Sequence, residues 1–126
     1  MNILIKNGTI ITSKAEFSSD IYISAGKIKE IGTDLKSNDS SDRIIDAAGL
    51  LIFPGGIDPH VHFNLPTPAG FSADDFESGS KAALFGGTTS VIDFVTPKRG
   101  QSLTEALAER TTEAKNAICD YSFHVS

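Results

Sequence analysis

Cysteine is almost missing from this 126-residue chain, with Cys119 alone. That excludes an intrachain disulfide and fits a reducing compartment better than secretion, so Cys119 reads as a small apolar packing residue. Positive charge is also scarce. Eleven Lys and Arg against sixteen Asp and Glu give a formal net charge of -5, which leaves no basic footprint for nucleic acid. No window approaches the roughly 18 apolar residues of a membrane span. The start, "MNILIKNGTIIT", lacks the basic region and sustained apolar stretch of a secretory signal. The expectation is a soluble cytoplasmic protein with neither nucleic acid nor membrane as partner. What is present is an ordinary globular composition, 40% hydrophobic and 21% charged, which should fold around apolar surface.

The rhythm of the chain changes partway along. Ile3 to Lys6, Thr9 to Thr12, Asp20 to Ser24 and Lys27 to Ile31 read as short strands, with turn signals at Asn7-Gly8 and Ala25-Gly26. This is a meander of small antiparallel strands. The polar loop "SNDSSD" follows, and "RIIDAAGLLIFPGG" returns to a strand pattern. Beyond it, strand-like and helix-like runs alternate. "GIDPHVHF" is a strand, and Ser72 to Phe85 a helix with Ser72 as N-cap, Asp75 closing its box and Phe76, Ala83 and Leu84 on the buried side. "TTSVIDFV" is a strand of the kind buried in parallel sheets. Ser102 to Glu105 is a capping box opening a helix to about Asn116, and "CDYSFHV" begins a third strand. Strand, helix, strand, helix, strand predicts an α/β parallel sheet with crossover helices, doubly wound or the start of a barrel. The expected domains are 1-52 and 53-126. A whole (β/α)8 barrel needs about 250 residues, so any barrel here is incomplete.

In "PGGIDPHVHF", His60 and His62 are two residues apart on a strand and so point the same way, with Asp58 on the same side. Imidazole is the commonest protein ligand for zinc, and two at one strand end make half a site. The pair lies where barrel and doubly wound enzymes build their sites. His124, by contrast, reads as a packing or hydrogen-bonded histidine, and Asp93 as a structural carboxylate.

"GLLIFPGGIDPHVHF" followed by "SADDFESGSKAALFGGTTSVIDF" closely resembles the N-terminal part of the cyclic amidohydrolases, most of all dihydropyrimidinases and D-hydantoinases. The opening strands are similar as well. The resemblance implies a β-sandwich, of which residues 1-52 supply N-terminal strands, beside the first units of a metal-dependent (β/α)8 TIM barrel in 53-126. It implies a binuclear centre, usually zinc, in which His60 and His62 hold one ion. A carboxylated lysine, two more histidines and a catalytic aspartate would come from later strands. No catalytic residue is therefore expected in this chain, and Lys81, Lys98 and Lys115 sit in helix or loop contexts unsuited to the bridging lysine. The metals would acidify water and polarise a cyclic amide carbonyl. Asp58 either orients one of the histidine ligands or is a satisfied structural carboxylate. Leu65, in the loop "NLPTPAGFS", is a candidate for the substrate pocket or else pins that loop to the rim.

The implied activity is hydrolysis of a small cyclic ureide by a homo-oligomeric, tetrameric parent enzyme, the 126 residues alone being inactive and marginally folded or self-associating. A non-catalytic dihydropyrimidinase-like scaffold is the alternative, against which the intact His60-Val61-His62 argues. Within the enzymes, an allantoinase or dihydroorotase is the other reading. Asn64 stands where dihydroorotases usually carry an arginine, which weakens the latter.

Overall fold

The structure, a computed structural model, describes residues 2–37 and 39–126. Asn38 of the expected polar loop and Met1 of the opening segment thus lie outside the described residues. The chain divides into two compact units, Met1–Pro54 and Gly55–Ser126.

The first unit is a five-stranded sheet. β1 (Ile3–Ile11) pairs antiparallel with β2 (Glu16–Ser24), which pairs antiparallel with β3 (Lys27–Gly32). On the other side of β1, β4 (Arg43–Asp46) and β5 (Leu51–Ile52) run parallel to it. The antiparallel meander expected over residues 3–31 is present as β1, β2 and β3, and the parallel pairing of β4 and β5 makes the whole sheet mixed. Ala25 and Gly26 turn β2 into β3 with φ of 50° and 72°, the positive pair that a tight hairpin requires. Asn7-Gly8, by contrast, is no turn: β1 runs straight through it with a register slip between Ile5 and Gly8. Asn7 takes φ 63° there. Its N–H donates to Asp20 Oδ1 at 2.9 Å, and its side-chain amide to Asp46 Oδ1 at 2.9 Å. Contacts from distant strands turn a hairpin signal into a bulge. Leu4, Ile10 and Ile21 form the buried apolar side of this sheet.

The second unit holds three parallel strands in the order β10-β9-β6, namely β6 (Gly56–Val61), β9 (Thr88–Val95) and β10 (Asp120–Val125). Parallel neighbours need crossovers. α1 (Phe76–Phe85) supplies the first, and α2 (Leu103–Glu113), continuing into a 3₁₀ turn at Ala114–Asn116, supplies the second. A hairpin of β7 (Pro66–Thr67) and β8 (Gly70–Phe71) rises from the connection between β6 and α1. Mixed α/β architecture with a parallel sheet is thus present, as the alternating pattern predicts.

Both helices open on reciprocal capping boxes. Ser102 and Glu105 form the expected one. At α1 the cap is Asp75, with Ser78 closing the box, three residues later than expected. Ser72 is unavailable because its Oγ accepts the Leu65 N–H at 2.9 Å, while the Asn64 N–H donates to Asp74 O at 2.7 Å. These bonds hold residues 72–74 in the loop. Leu84, expected inside, is 38% exposed, since the helix ends two residues later at Gly86.

On β9 the alternating residues Val91, Asp93 and Val95 are buried. Val91, Phe63, Phe76 and Ala114 form the core, with Ala83, Cys119 and Phe123 packed against it. Phe63 and Phe76 meet edge to face with centroids 5.4 Å apart. Full burial of a side chain such as Phe76 contributes about 1.5–3 kcal/mol. Burial pushes the Cys119 thiol up from its ordinary pKa, which suits its packing role. No helix among the described residues is long and apolar enough to cross a membrane.

Candidate metal centre

β6 loses register with β9 just where it delivers its histidines. Asp58 lies opposite Val91 and Val61 opposite Asp93, so Pro59 and His60 share the space opposite Ile92. That is a β-bulge, the place where a strand tolerates proline. A bulge strands backbone groups, and side chains take them up here. The His60 N–H donates to Asp58 Oδ1 at 3.1 Å, and His124 Nε2 donates to the Pro59 carbonyl at 3.1 Å. These two groups belong to one peptide unit. The unit that leads into His60 is thus gripped at both ends, by Asp58 from its own strand and by His124 from β10.

His60, next to last in β6, and His62, one residue past its end, bring their Nε2 atoms within 3.2 Å. Their rings lie nearly perpendicular, 83°, with centroids 5.1 Å apart. Phe94 on β9 is the common neighbour, its ring centroid 4.6 Å from His60, 5.0 Å from His62 and 4.9 Å from His124. Two nitrogens bound to one zinc at about 2.0–2.1 Å in tetrahedral geometry stand about 3.3 Å apart. Their spacing and exposure fit a metal ion. Among the described residues no third His, Cys, Asp or Glu joins them into a larger ligand group, so two ligands are all that these residues would offer a metal. Asp58 accepts from the main-chain N–H of His60, not from an imidazole ring.

The residue after His62 is held just as firmly. Asp93, fully buried, accepts the Phe63 N–H on Oδ2 at 3.0 Å, and its Oδ1 accepts Arg110 Nη2 at 2.8 Å. The same Arg110 nitrogen donates to the Phe63 carbonyl. Arg110 lies over the Phe76 ring at 4.6 Å and also pairs with Glu113. Both ends of the His60-Val61-His62 segment are therefore fixed by side chains on other elements.

Phe94, the neighbour of both histidines, also lines a groove of about 520 Å³, with Asn64, Leu65 and Phe71 on the loop side and Val95 and Arg110 beside Phe94 on the other. Leu65 thus faces the same groove as the ring beneath the histidines. Asn64, at φ 46°, starts this loop. Phe94 and Arg110 are the site residues that motif reading misses. The available signal for Phe94 is its place at the carboxyl end of a β-branched strand, on the face opposite Asp93. Arg110 has no such signal.

Parallel strands joined by helices, with two imidazoles paired at one carboxyl end, define an α/β unit of the kind that carries its sites at the strand ends. Residues 51–126 match the sequence profile of the Amidohydrolase family, and the chain belongs to that family. It is 46% identical over 125 residues to a dihydropyrimidinase of Dictyostelium discoideum, covering 98% of this chain and 25% of that protein. With a D-hydantoinase of Geobacillus stearothermophilus the identity is 45% over 126 residues, 99% of this chain and 26% of the relative. A crystal structure of a D-hydantoinase superposes with a TM-score of 0.93 at 43% identity, covering 99% of this chain and 27% of that one. The chain spans about a quarter of the length of the curated relatives it matches.

Proposed function

We propose that these residues are the N-terminal part of a metal-dependent hydrolase of dihydropyrimidinase or D-hydantoinase type, which opens a small cyclic ureide at a ring C–N amide bond. The observation that carries this reading is the 3.2 Å approach of the His60 and His62 Nε2 atoms at a parallel strand end. The likeness to relatives bearing those two names supports it. In this reading β1 to β5 belong to a β-sandwich, and β6, α1, β9, α2 and β10 are the first units of a (β/α)8 barrel. Two units and a strand are far short of such a barrel, so the carboxylated lysine, the other histidines and the proton-transferring aspartate lie outside these residues.

His60 and His62 would hold one zinc ion of a binuclear pair. When bound, the metal supplies Lewis acidity toward the scissile carbonyl and toward water. The chain's own contribution is placement. The gripped peptide before His60 and the clamped Phe63 after His62 fix where the imidazoles stand, and Phe94 gives them an apolar floor. Leu65 and Phe71 line the groove that would receive the ring substituent. Metal analysis and turnover on the complete protein test this. About two zinc ions per subunit and hydrolysis of dihydrouracil or hydantoin, both lost in His60→Ala/His62→Ala, are expected. A complete protein with neither would instead be a scaffold. The isolated 126 residues, lacking a catalytic aspartate, should show no turnover.

A further inference from the structure

His124 does something that its place on β10 does not require. Its ring reaches across β9, over Phe94, to a carbonyl on β6, two strands away. That carbonyl belongs to Pro59, inside the bulge where β6 has lost its register with β9. A backbone oxygen without a ladder partner is taken up elsewhere wherever it can be, and an imidazole from another strand is a costly choice unless its position matters. Because the acceptor is a carbonyl, Nε2 must carry the proton. The other end of the same peptide unit is tied to Asp58. The plane of the Pro59-His60 peptide sets the direction in which the His60 side chain leaves the backbone, and the Phe94 ring touched by His124 is the one against which both His60 and His62 rest.

We propose that His124 is a positioning residue for the metal pair: its Nε2–H bond to the Pro59 carbonyl fixes the peptide that aims His60 at the ion shared with His62. This rests on the hydrolase reading above and adds to it a third histidine that touches neither the metal nor the substrate. Groups one layer behind metal ligands typically change metal affinity by about 10- to 100-fold when removed, so the effect is measurable apart from activity.

The test uses the complete protein with three readouts: zinc affinity by chelator competition, the absorption spectrum of the cobalt-substituted form, and thermal unfolding of the metal-free form. His124→Phe keeps a ring against Phe94 and removes the donor. It should bind zinc about 10-fold or more weakly and alter the cobalt spectrum, while the metal-free protein unfolds within a few degrees of the parent. His124→Gln keeps an N–H donor able to reach the carbonyl and should recover most of the lost affinity. Parent-like zinc binding in His124→Phe overturns the proposal while leaving the hydrolase reading intact. Equal losses in both variants, or failure of His124→Phe to fold while His124→Gln folds with weakened binding, would make His124 a packing residue and also overturn it. A parent protein that binds no zinc at all would defeat the hydrolase reading itself, and this inference with it.

Discussion

Asp93 on β9 and Arg110 on α2 meet at 2.8 Å with side chains 0% and 11% exposed, and between them they bond both the N–H and the carbonyl of Phe63. A buried ion pair of this sort adds little net stability over an apolar pair, but removing one partner leaves the other charge uncompensated, at a cost of about 3–5 kcal/mol. Asp93→Ala should cost that much, read from the urea midpoint. It should also weaken metal binding, because the chain leaving His62 loses its anchor. Asp93→Ala/Arg110→Met should recover part of the stability without the metal affinity. An Asp93→Ala protein as stable as the parent would show that the clamp is dispensable.

Gly79 lies in the middle of α1, where alanine is ordinarily better by about 1 kcal/mol. Here an added Cβ would run into the ring of Phe63, a core residue with little room to move. Gly79→Ala is therefore expected to destabilise by about 1–3 kcal/mol. Phe63→Leu, which vacates that space, should relieve the clash in the double variant. Additive losses in the double-variant cycle would contradict a direct collision.

Much of this was legible in the sequence for a physical reason. Strand alternation is local, so His60 and His62 had to share a side, and the Ser102 and Glu105 box is a local pattern too. What was not legible depends on register. Asn7-Gly8 has the chemistry of a hairpin turn, and only Asp20 and Asp46, brought in by other strands, make it a bulge. The cap of α1 moved from Ser72 to Asp75 because Leu65, seven residues earlier, occupies the serine oxygen. Phe94 joins the site through the pairing of β9 with both β6 and β10, and Arg110 through the docking of α2, neither of which a motif encodes.

Asp20 is expected to contribute acid sensitivity to the first unit, alongside Asp42 and Asp46, whose carboxyls are also held below their ordinary range. The Asn7 N–H holds the Asp20 carboxyl below the ordinary carboxylate range against the opposing effect of burial, and the Leu35 N–H and Lys6 add to the lowering. A depressed folded-state pKa contributes stability that is present above the unfolded value of about 3.9 and is lost as pH falls through the lower folded value. The melting temperature of the parent should therefore fall more steeply below about pH 4 than that of Asp20→Asn, the two curves converging in acid. Parallel curves from pH 6 to pH 2 would assign the acid sensitivity to other groups.

The isolated 126 residues should associate rather than remain a monodisperse monomer. Among the described residues β10 is paired only with β9, and β6 likewise only with β9, so the parallel sheet presents two open edges. Open edges recruit further strands unless they are charged, short or covered. Apolar side chains add to this, since Ile57 on β6 is 68% exposed, Phe71 on β8 68% and Phe85 at the end of α1 86%. Light scattering at tens of micromolar is expected to report higher-order species, and Ile57→Lys/Phe85→Lys should shift the population toward monomer by placing charge on the edge and on the helix end. If the unmodified chain ran as a sharp monomer with one cooperative melt, its exposed edges would be self-sufficient, and these residues could no longer be read as the opening units of a larger closed barrel.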